Sequence, residues 1–442
     1  LAKAILEPDA DYEPEFVKEQ YARRDRNEKR NEHEAKEGYS FYDITAWSLP
    51  HTFGLEAYWT EDSLPFQGEQ VKLNDKGTVS FKSFPTAPAT ERSPIGYVFK
   101  YDSDAAGILA ARLLADGFRL AVANKPFKAD GASWPVGSFI IRVSRNPANL
   151  YDHLKSMAQE LGVTVKALKS AYSDDSNVGI HSESIRDLVS PRIAVLAGDP
   201  TDQSSYGALW YMLQNQIKLP FSALKADSLA SVDLSRFTAI VVPDGYGYTD
   251  SIGKGGIAKL KEWINRGGAL IGFGNGGQWM IDKDAGISTA RKVGEDDKSA
   301  DAKPDAPKSD DKPEADEKKP KKPVNLPGGI FRATLDPTHY LAYGYEGVDL
   351  AVPVAGDVFL KPSKDGSNPV KFGAGPLRLS GFTWPKNTED LLANTSWAID
   401  EPMGRGHAII FLHDPVFRAY WTGLRKMLLN AMILSPSRSA VE

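Results

Sequence analysis

Ala269-Leu270-Ile271-Gly272-Phe273-Gly274-Asn275-Gly276-Gly277 is a short apolar run that ends in a cluster of glycines. A run of this length reads as a strand buried on both faces, and the glycines permit a sharp turn into a helix. The flanking sequence repeats the pattern. RIAVLAG (192–198) is an apolar strand followed by a helical stretch, SYGALWYMLQNQI (205–217), and FTAIVVPDG (237–245) precedes GKGGIAKLKEWINRGG (253–268), a helix with glycines at both ends. HAIIFL (407–412) supplies a last strand, and PVFRAYWTGLRKMLLNAMIL (415–434) reads as a closing amphipathic helix. Strands alternating with helices in this way predict an α/β domain over 191–442 built on a doubly wound parallel sheet.

Upstream, residues 94–190 show a different order. YVFKY (97–101) reads as a strand, SDAAGILAARLLADG (103–117) as a helix closed by a glycine, and FRLAVANKPF (118–127) and GSFIIRVS (137–144) as two more strands. NPANLYDHLKSMAQELG (146–162) is a second helix ending at Gly162, and VTVKALK (163–169) a fourth strand. The order βαββαβ is that of a ferredoxin-like α+β domain, which by itself assigns no chemistry.

At 442 residues the chain exceeds what one core usually serves. It is 41% apolar, and its 53 basic and 58 acidic side chains leave a net charge of −5, which gives no electrostatic reason to expect nucleic acid. No cysteine is present, which excludes disulfides, a thiol nucleophile and thiolate metal sites. No apolar run is long enough for a membrane span, and no signal peptide is legible. A first residue other than Met, Leu1, suggests a piece of a longer protein.

Residues 1–60 read as a charged helical arm (13–37) followed by the aromatic segment YDITAWSLPHTFGLEAYW (42–59), which should be buried against a neighbouring body. Residues 61–93 read as a strand-rich linker, with a hairpin turn at Asp75-Lys76-Gly77 within 71–84. Residues 295–322 hold ten acidic and eight basic side chains, four prolines and no large apolar residue, which predicts a disordered surface insertion.

No His stands in an H-x-x-E pair, and H-E-x-x-H is absent, so no recognisable zinc motif exists here. His33 and Glu37 stand at i, i+4 on the charged helix, a spacing that could hold a metal but reads as a solvated face. The glycine turn has the form of a nucleophile elbow, G-x-[nucleophile]-x-G. Gly272, Gly274, Asn275 and Gly276 supply the turn, but Gly274 stands where the nucleophile belongs, so the elbow is degenerate; a backbone anion nest is the alternative. His413 and Asp414 follow the last strand, at the carboxyl edge where doubly wound sheets bind ligands. Asp414 before Pro415 also suits the N-cap of the closing helix. Asp199, Asp244 and Tyr246 follow earlier strands and could line the same edge. The glycines of 244–248 and 253–256 match no phosphate-binding fingerprint.

YDITAWSLP (42–50), NKPF…WPVGSFII (124–141), LDPTHYLAYGY (335–345) and GRGHAIIFLHDPVFRAYWTGLRKMLLNA (404–431) together resemble the region that follows the peptidase domain in large bacterial zinc carboxypeptidases of the carboxypeptidase-A-like metallopeptidase family. The resemblance implies an exported, periplasmic or secreted parent whose zinc sits in an amino-terminal peptidase domain. That domain would be the partner of this chain, a peptide the substrate, and the arm a surface packed on the missing domain. None of the family's catalytic motifs occurs here, so no catalytic residue carries over and this chain implies no cofactor of its own. The domain over 191–442 also resembles the class I glutamine amidotransferase fold, with Gly274 in place of the elbow Cys and His413-Asp414-Pro415 in place of His-x-Glu. That implies a degenerate domain.

Three functions follow as expectations: a non-catalytic scaffolding or substrate-presenting module, which could also form homo-oligomers; a hydrolase using His413, Asp414 and Asp244; or a carbohydrate- or peptide-binding module using Trp59, Trp210, Trp279, Trp384 and Trp421.

Overall fold

The computed structural model describes residues 12–30, 34–41, 48–58, 60, 62, 90–174, 179–295 and 322–438. The hairpin expected at 71–84, Trp59, His33 and residues 296–321 of the insertion lie outside them. Glu37, the other half of the His33 pair, is engaged by Arg26 and Arg30 at 2.8 Å.

The charged arm forms helix α1 (Pro14–Lys29), and a short helix α2 (Leu49–Phe53) follows. The apolar scatter of the arm meets aromatic residues far along this chain. Tyr12 and Phe41 pack on Phe382 with ring centroids at 5.9 and 4.7 Å, and Tyr39 packs on Trp384 at 4.7 Å. These described aromatics of the arm, expected to rest on a body outside the chain, rest on Phe382 and Trp384 within it.

The first sheet contains β1 (Gly96–Phe99), β2 (Ala121–Ala123), β5 (Phe139–Arg142), β6 (Lys166–Leu168) and β7 (Ile185–Asp187), in the order β6-β1-β5-β2-β7. All neighbours are antiparallel. The four expected strands thus lie in the order fourth, first, third, second, the ferredoxin-like arrangement, and β7 adds an edge that the sequence did not announce. Helices α3 (Asp104–Ala115) and α4 (Leu150–Leu161) make the crossovers. Ser103 caps α3, its Oγ accepting from Ala106 N at 3.3 Å. Gly162 ends α4 at φ 68°, a conformation that glycine adopts without strain. The strands alternate as a two-faced sheet requires: Tyr97, Phe99, Phe139 and Ile141 face the main core, while Val98 and Ile140 join a smaller cluster.

The strand expected over 118–127 is split. After β2 the chain breaks at Asn124 and Pro126, and Phe127 opens a hairpin of β3 (Phe127–Ala129) and β4 (Ala132–Trp134). Asp130 and Gly131 form its tip, with φ values of 49° and 70°. Paired positive φ values are what a two-residue hairpin turn needs, and Asp-Gly supplies them. Phe127 and Trp134 stack at 6.4 Å within the smaller cluster on the second face of the sheet.

Among the described residues the second sheet has twelve strands. Five of them are parallel, in the order β9 (Phe221–Leu224), β8 (Ile193–Leu196), β10 (Ala239–Val242), β11 (Ala269–Phe273) and β19 (Gly406–Phe411). The α/β architecture is thus present, but the sheet is mixed where a wholly parallel one was expected. Beyond β19 come β18 (Ser396–Met403), β16 (Ser367–Lys371), β13 (Leu326–Leu335) and β14 (Asp349–Gly356), each antiparallel to its neighbour. The short strands β12 (Arg291–Lys292), β15 (Leu360–Lys361) and β17 (Arg378–Gly381) attach to this extension. The physical reason is the Met403–Gly406 turn: β18 and β19 are joined too tightly for a parallel crossover.

Helices α5 (Gln203–Tyr211), α6 (Tyr248–Asn265), α7 (Asn275–Trp279), α8 (Thr388–Leu392) and α9 (Arg425–Ile433) complete the unit. The closing helix expected over 415–434 forms only in its second half. Residues 415–424 make a turn in which Arg418 and Ala419 have φ of 52° and 59°. Asp414 therefore caps no long helix; its Oδ1 accepts from Val416 N at 2.8 Å in a local turn. One core cluster joins both sheets. Across the junction, Tyr101 Oη lies 2.9 Å from Asn430 Oδ1, and Arg112 Nε donates to the Ile217 carbonyl at 2.6 Å.

Candidate functional site

The parallel strands end on one edge, and the loops beyond them surround a cleft of about 510 Å³. Asp244 enters it after β10, Gly274 after β11 and His413 with Asp414 after β19, while Asp202, Ser204 and Ser205 come from the start of α5. Tyr39 and Phe41 of the arm, together with Phe417 and Arg418, complete its walls. The candidate residues Asp244, Gly274, His413 and Asp414, scattered over 170 positions of sequence, therefore meet at one place. Asp199 and Tyr246 do not line it, and Tyr246 is 79% exposed.

The glycine turn explains the local geometry. Gly274 has φ 56° and ψ −133°, a conformation that L side chains rarely adopt. Gly276 lies so close under β10 that a Cβ there would stand 2.1 Å from the Pro243 carbonyl oxygen. This is the strand–turn–helix corner of an elbow, without its nucleophile. The space is not vacant. A single carboxylate oxygen of Asp244, Oδ1, accepts from Gly245 N at 2.9 Å, from Asn275 N at 2.8 Å and from Asn275 Nδ2 at 2.7 Å. One of the turn amides considered as a nest for an outside anion, Asn275 N, thus already holds a carboxylate of the chain itself.

Asp414 is buried, and its Oδ2 accepts from Ser205 Oγ at 3.2 Å. The same Ser205 oxygen accepts from the Asp244 amide at 3.1 Å, so one hydroxyl ties the two acidic loops together. Burial pushes the Asp414 carboxyl up to about 7, with the Asp244 and Asp202 charges adding to the shift. Burial also pulls His413 below the usual imidazole range, and its Nδ1 is enclosed without a hydrogen-bond partner among the described residues. The cleft thus pairs a carboxyl that is half protonated near neutrality with an imidazole that is neutral there.

Several lining residues were not singled out from the sequence. Asp202 could have been: its Oδ1 accepts from Ser205 N at 2.8 Å, the N-cap geometry expected of Asp three residues before Ser at a helix start. Tyr39, Phe41 and Arg418 had no such signal. Of the tryptophans proposed for ligand binding, Trp279, Trp384 and Trp421 are core residues at 4%, 1% and 1% exposure, while Trp210 is at the surface. Among the described residues no three His, Asp or Glu side chains gather as a metal site, and no helix is long and apolar enough to cross a membrane.

No family model matches the chain and no curated protein matches it, so the resemblance to zinc carboxypeptidases rests on the quoted motifs alone. Among solved structures it is similar to a ThuA-like protein of Bacteroides uniformis at 9% identity and a TM-score of 0.35, covering 54% of this chain and 89% of that one. A glutamine amidotransferase of Thermotoga maritima aligns at 8% identity and a TM-score of 0.34, covering 55% and 97%. A second ThuA-like protein, from Parabacteroides merdae, aligns at 12% and 0.36, covering 57% and 92%. Likenesses this loose assign the chain no residue and no activity.

Proposed function

We propose that this chain is a non-catalytic accessory module that holds a ligand in the cleft at the carboxyl edge of its parallel sheet. The observation that carries this reading is the Asp244 carboxylate lodged against the Gly274–Asn275 corner, where an acyl-transfer enzyme needs a nucleophile and free amide donors. Three carboxyl groups against one guanidinium, Arg418, and two aromatic rings of the arm line the cleft, which suits a ligand that brings hydrogen-bond donors, such as a peptide. On the sequence resemblance, the module belongs to an exported zinc carboxypeptidase-like parent, presents peptide to its zinc domain and lies in the periplasm or outside the cell. The test is to assay the purified chain against amide, ester, peptide and glycoside substrates, and to titrate it with short peptides by calorimetry. Peptide binding without turnover is expected; turnover of any substrate would overturn the reading.

A second reading has one observation in its favour. Asp414 lines the cleft beside His413, and burial pushes its carboxyl up to about 7, the range a general base of a hydrolase needs. A rate that rises through pH 7 and vanishes in Asp414→Asn would establish this reading instead.

A further inference from the structure

On the ferredoxin-like unit, a pocket of about 320 Å³ lies away from the cleft and shares none of its lining residues. Arg119, Arg142 and Arg145 line it with Asp187, so the lining carries a formal excess of two positive charges. Arg142 and Arg145 fork Asp187 from two sides, one to each carboxylate oxygen. Arg142 is 5% exposed, and its Nε donates to the Ile180 carbonyl at 2.8 Å. No described residue accepts from its Nη2. Arg142 thus spends Nε and Nη1 on the protein, and the single charge of Asp187 balances only one of the three guanidiniums.

The placement of Arg119 adds a second observation. Its backbone is clamped by Asn146, which accepts from Arg119 N at 2.7 Å and donates to Arg119 O at 2.9 Å. The same Asn146 amide donates to Arg142 O at 2.9 Å. The loop that carries Arg119 is thereby fixed beside the end of β5, while the Arg119 side chain itself is exposed and has no partner among the described residues. Holding three like charges around one small pocket is unfavourable in isolation and becomes favourable when an anion enters. The apolar floor of Phe118, Leu120 and Ile140 lowers the local polarity and strengthens such an interaction.

We propose that this pocket binds a small oxyanion, a carboxylate or phosphoryl group, held in the planar forks of Arg119, Arg142 and Arg145. Asp187 holds Arg142 and Arg145 at the pocket, and the oxyanion neutralises the charge it leaves over.

The experiment is isothermal titration of the full chain with inorganic phosphate and, separately, with succinate, both at constant ionic strength in sodium chloride. Saturable binding of at least one is expected, and which of the two binds distinguishes a phosphoryl from a carboxylate site. Arg119→Gln and Arg145→Gln alter exposed side chains, and each should weaken binding roughly ten-fold or more. Their melting temperatures in chloride, compared with that of the parent chain, confirm that both variants fold. Heats that match dilution for both anions, or wild-type affinity in both folded variants, would overturn the proposal.

Discussion

Asp244 fills the space that a side chain on Gly274 would need: a Cβ built on Gly274 stands 2.9 Å from Asp244 Cγ and 3.0 Å from its Oδ1. The pair explains why the elbow sequence carries no nucleophile. The turn is kept, and the carboxylate of a neighbouring strand end satisfies its amide.

Gly274→Cys therefore meets both a clash and a strained φ, and should cost about 2–3 kcal/mol of stability. The new thiol, placed beside a carboxylate, should have a pKa at or above about 8.5 and give no glutaminase activity. Melting temperature and the pH dependence of iodoacetamide alkylation check both; a strongly depressed thiol pKa at unchanged stability would contradict the geometry.

Asp414 titrates near 7 in the folded chain and near 3.8 when unfolded. A raised folded pKa gives stability that is fully present below the unfolded value and is lost as pH rises through the folded one. The loss from pH 4 to 8 should be on the order of 4 kcal/mol. Asp414→Asn keeps the bond from Val416 N and removes the charge, so it should flatten this part of the pH–stability curve and be more stable than the parent chain at pH 8. Urea midpoints across that range measure it.

His407 offers a second, separable pH effect. Its Nδ1 lies 2.9 Å from Asp400 Oδ1 and its Nε2 3.2 Å from the Arg438 carbonyl, and since both neighbours are acceptors, both ring nitrogens must carry protons. Burial opposes that charge, but the Asp400 bond and charge outweigh it, so the His407 pKa is raised. Stability from this pair is full below about 6.5 and falls as pH rises through the raised value. On the acid side Asp400 stays ionised: burial works against its charge, and His339 and His407 outweigh it. His407→Gln should remove this pair's share of the fall in stability above about pH 6.5 while leaving the share of Asp414 in place.

Trp384 and Trp210 separate core from surface. Trp384→Ala should cost about 3–5 kcal/mol and loosen the arm, because Tyr39 and Phe41 pack on that ring. Trp210→Ala, at 38% exposure, should change stability by no more than about 0.5 kcal/mol. Denaturant unfolding of the two variants tests the assignment.

Short apolar runs and their glycine punctuation determined much of the fold. The strands of 193–196, 239–242, 269–273 and 406–411 and the ferredoxin-like order of 96–168 follow from periodicity and caps, which are local properties. The Asp130-Gly131 turn is equally local, standing in the polar stretch between the two expected strands. The candidate residues Asp244, Gly274, His413 and Asp414 could be picked out because each follows a strand.

Tertiary structure alone decided the rest. How β16, β13 and β14 extend the sheet beyond the β18–β19 hairpin depends on pairings between residues far apart in sequence, such as Phe331 with Val352 or Leu335 with Val370. The closing helix starts ten residues later than its amphipathic pattern allows, because Arg418 and Ala419 take positive φ to pass the cleft. That Asp244 satisfies Asn275 N, and that burial lifts Asp414 to about 7, are consequences of packing. A residue's charge state and its hydrogen-bond partners are set by what the fold brings within a few ångströms, and no local pattern in the chain encodes that distance.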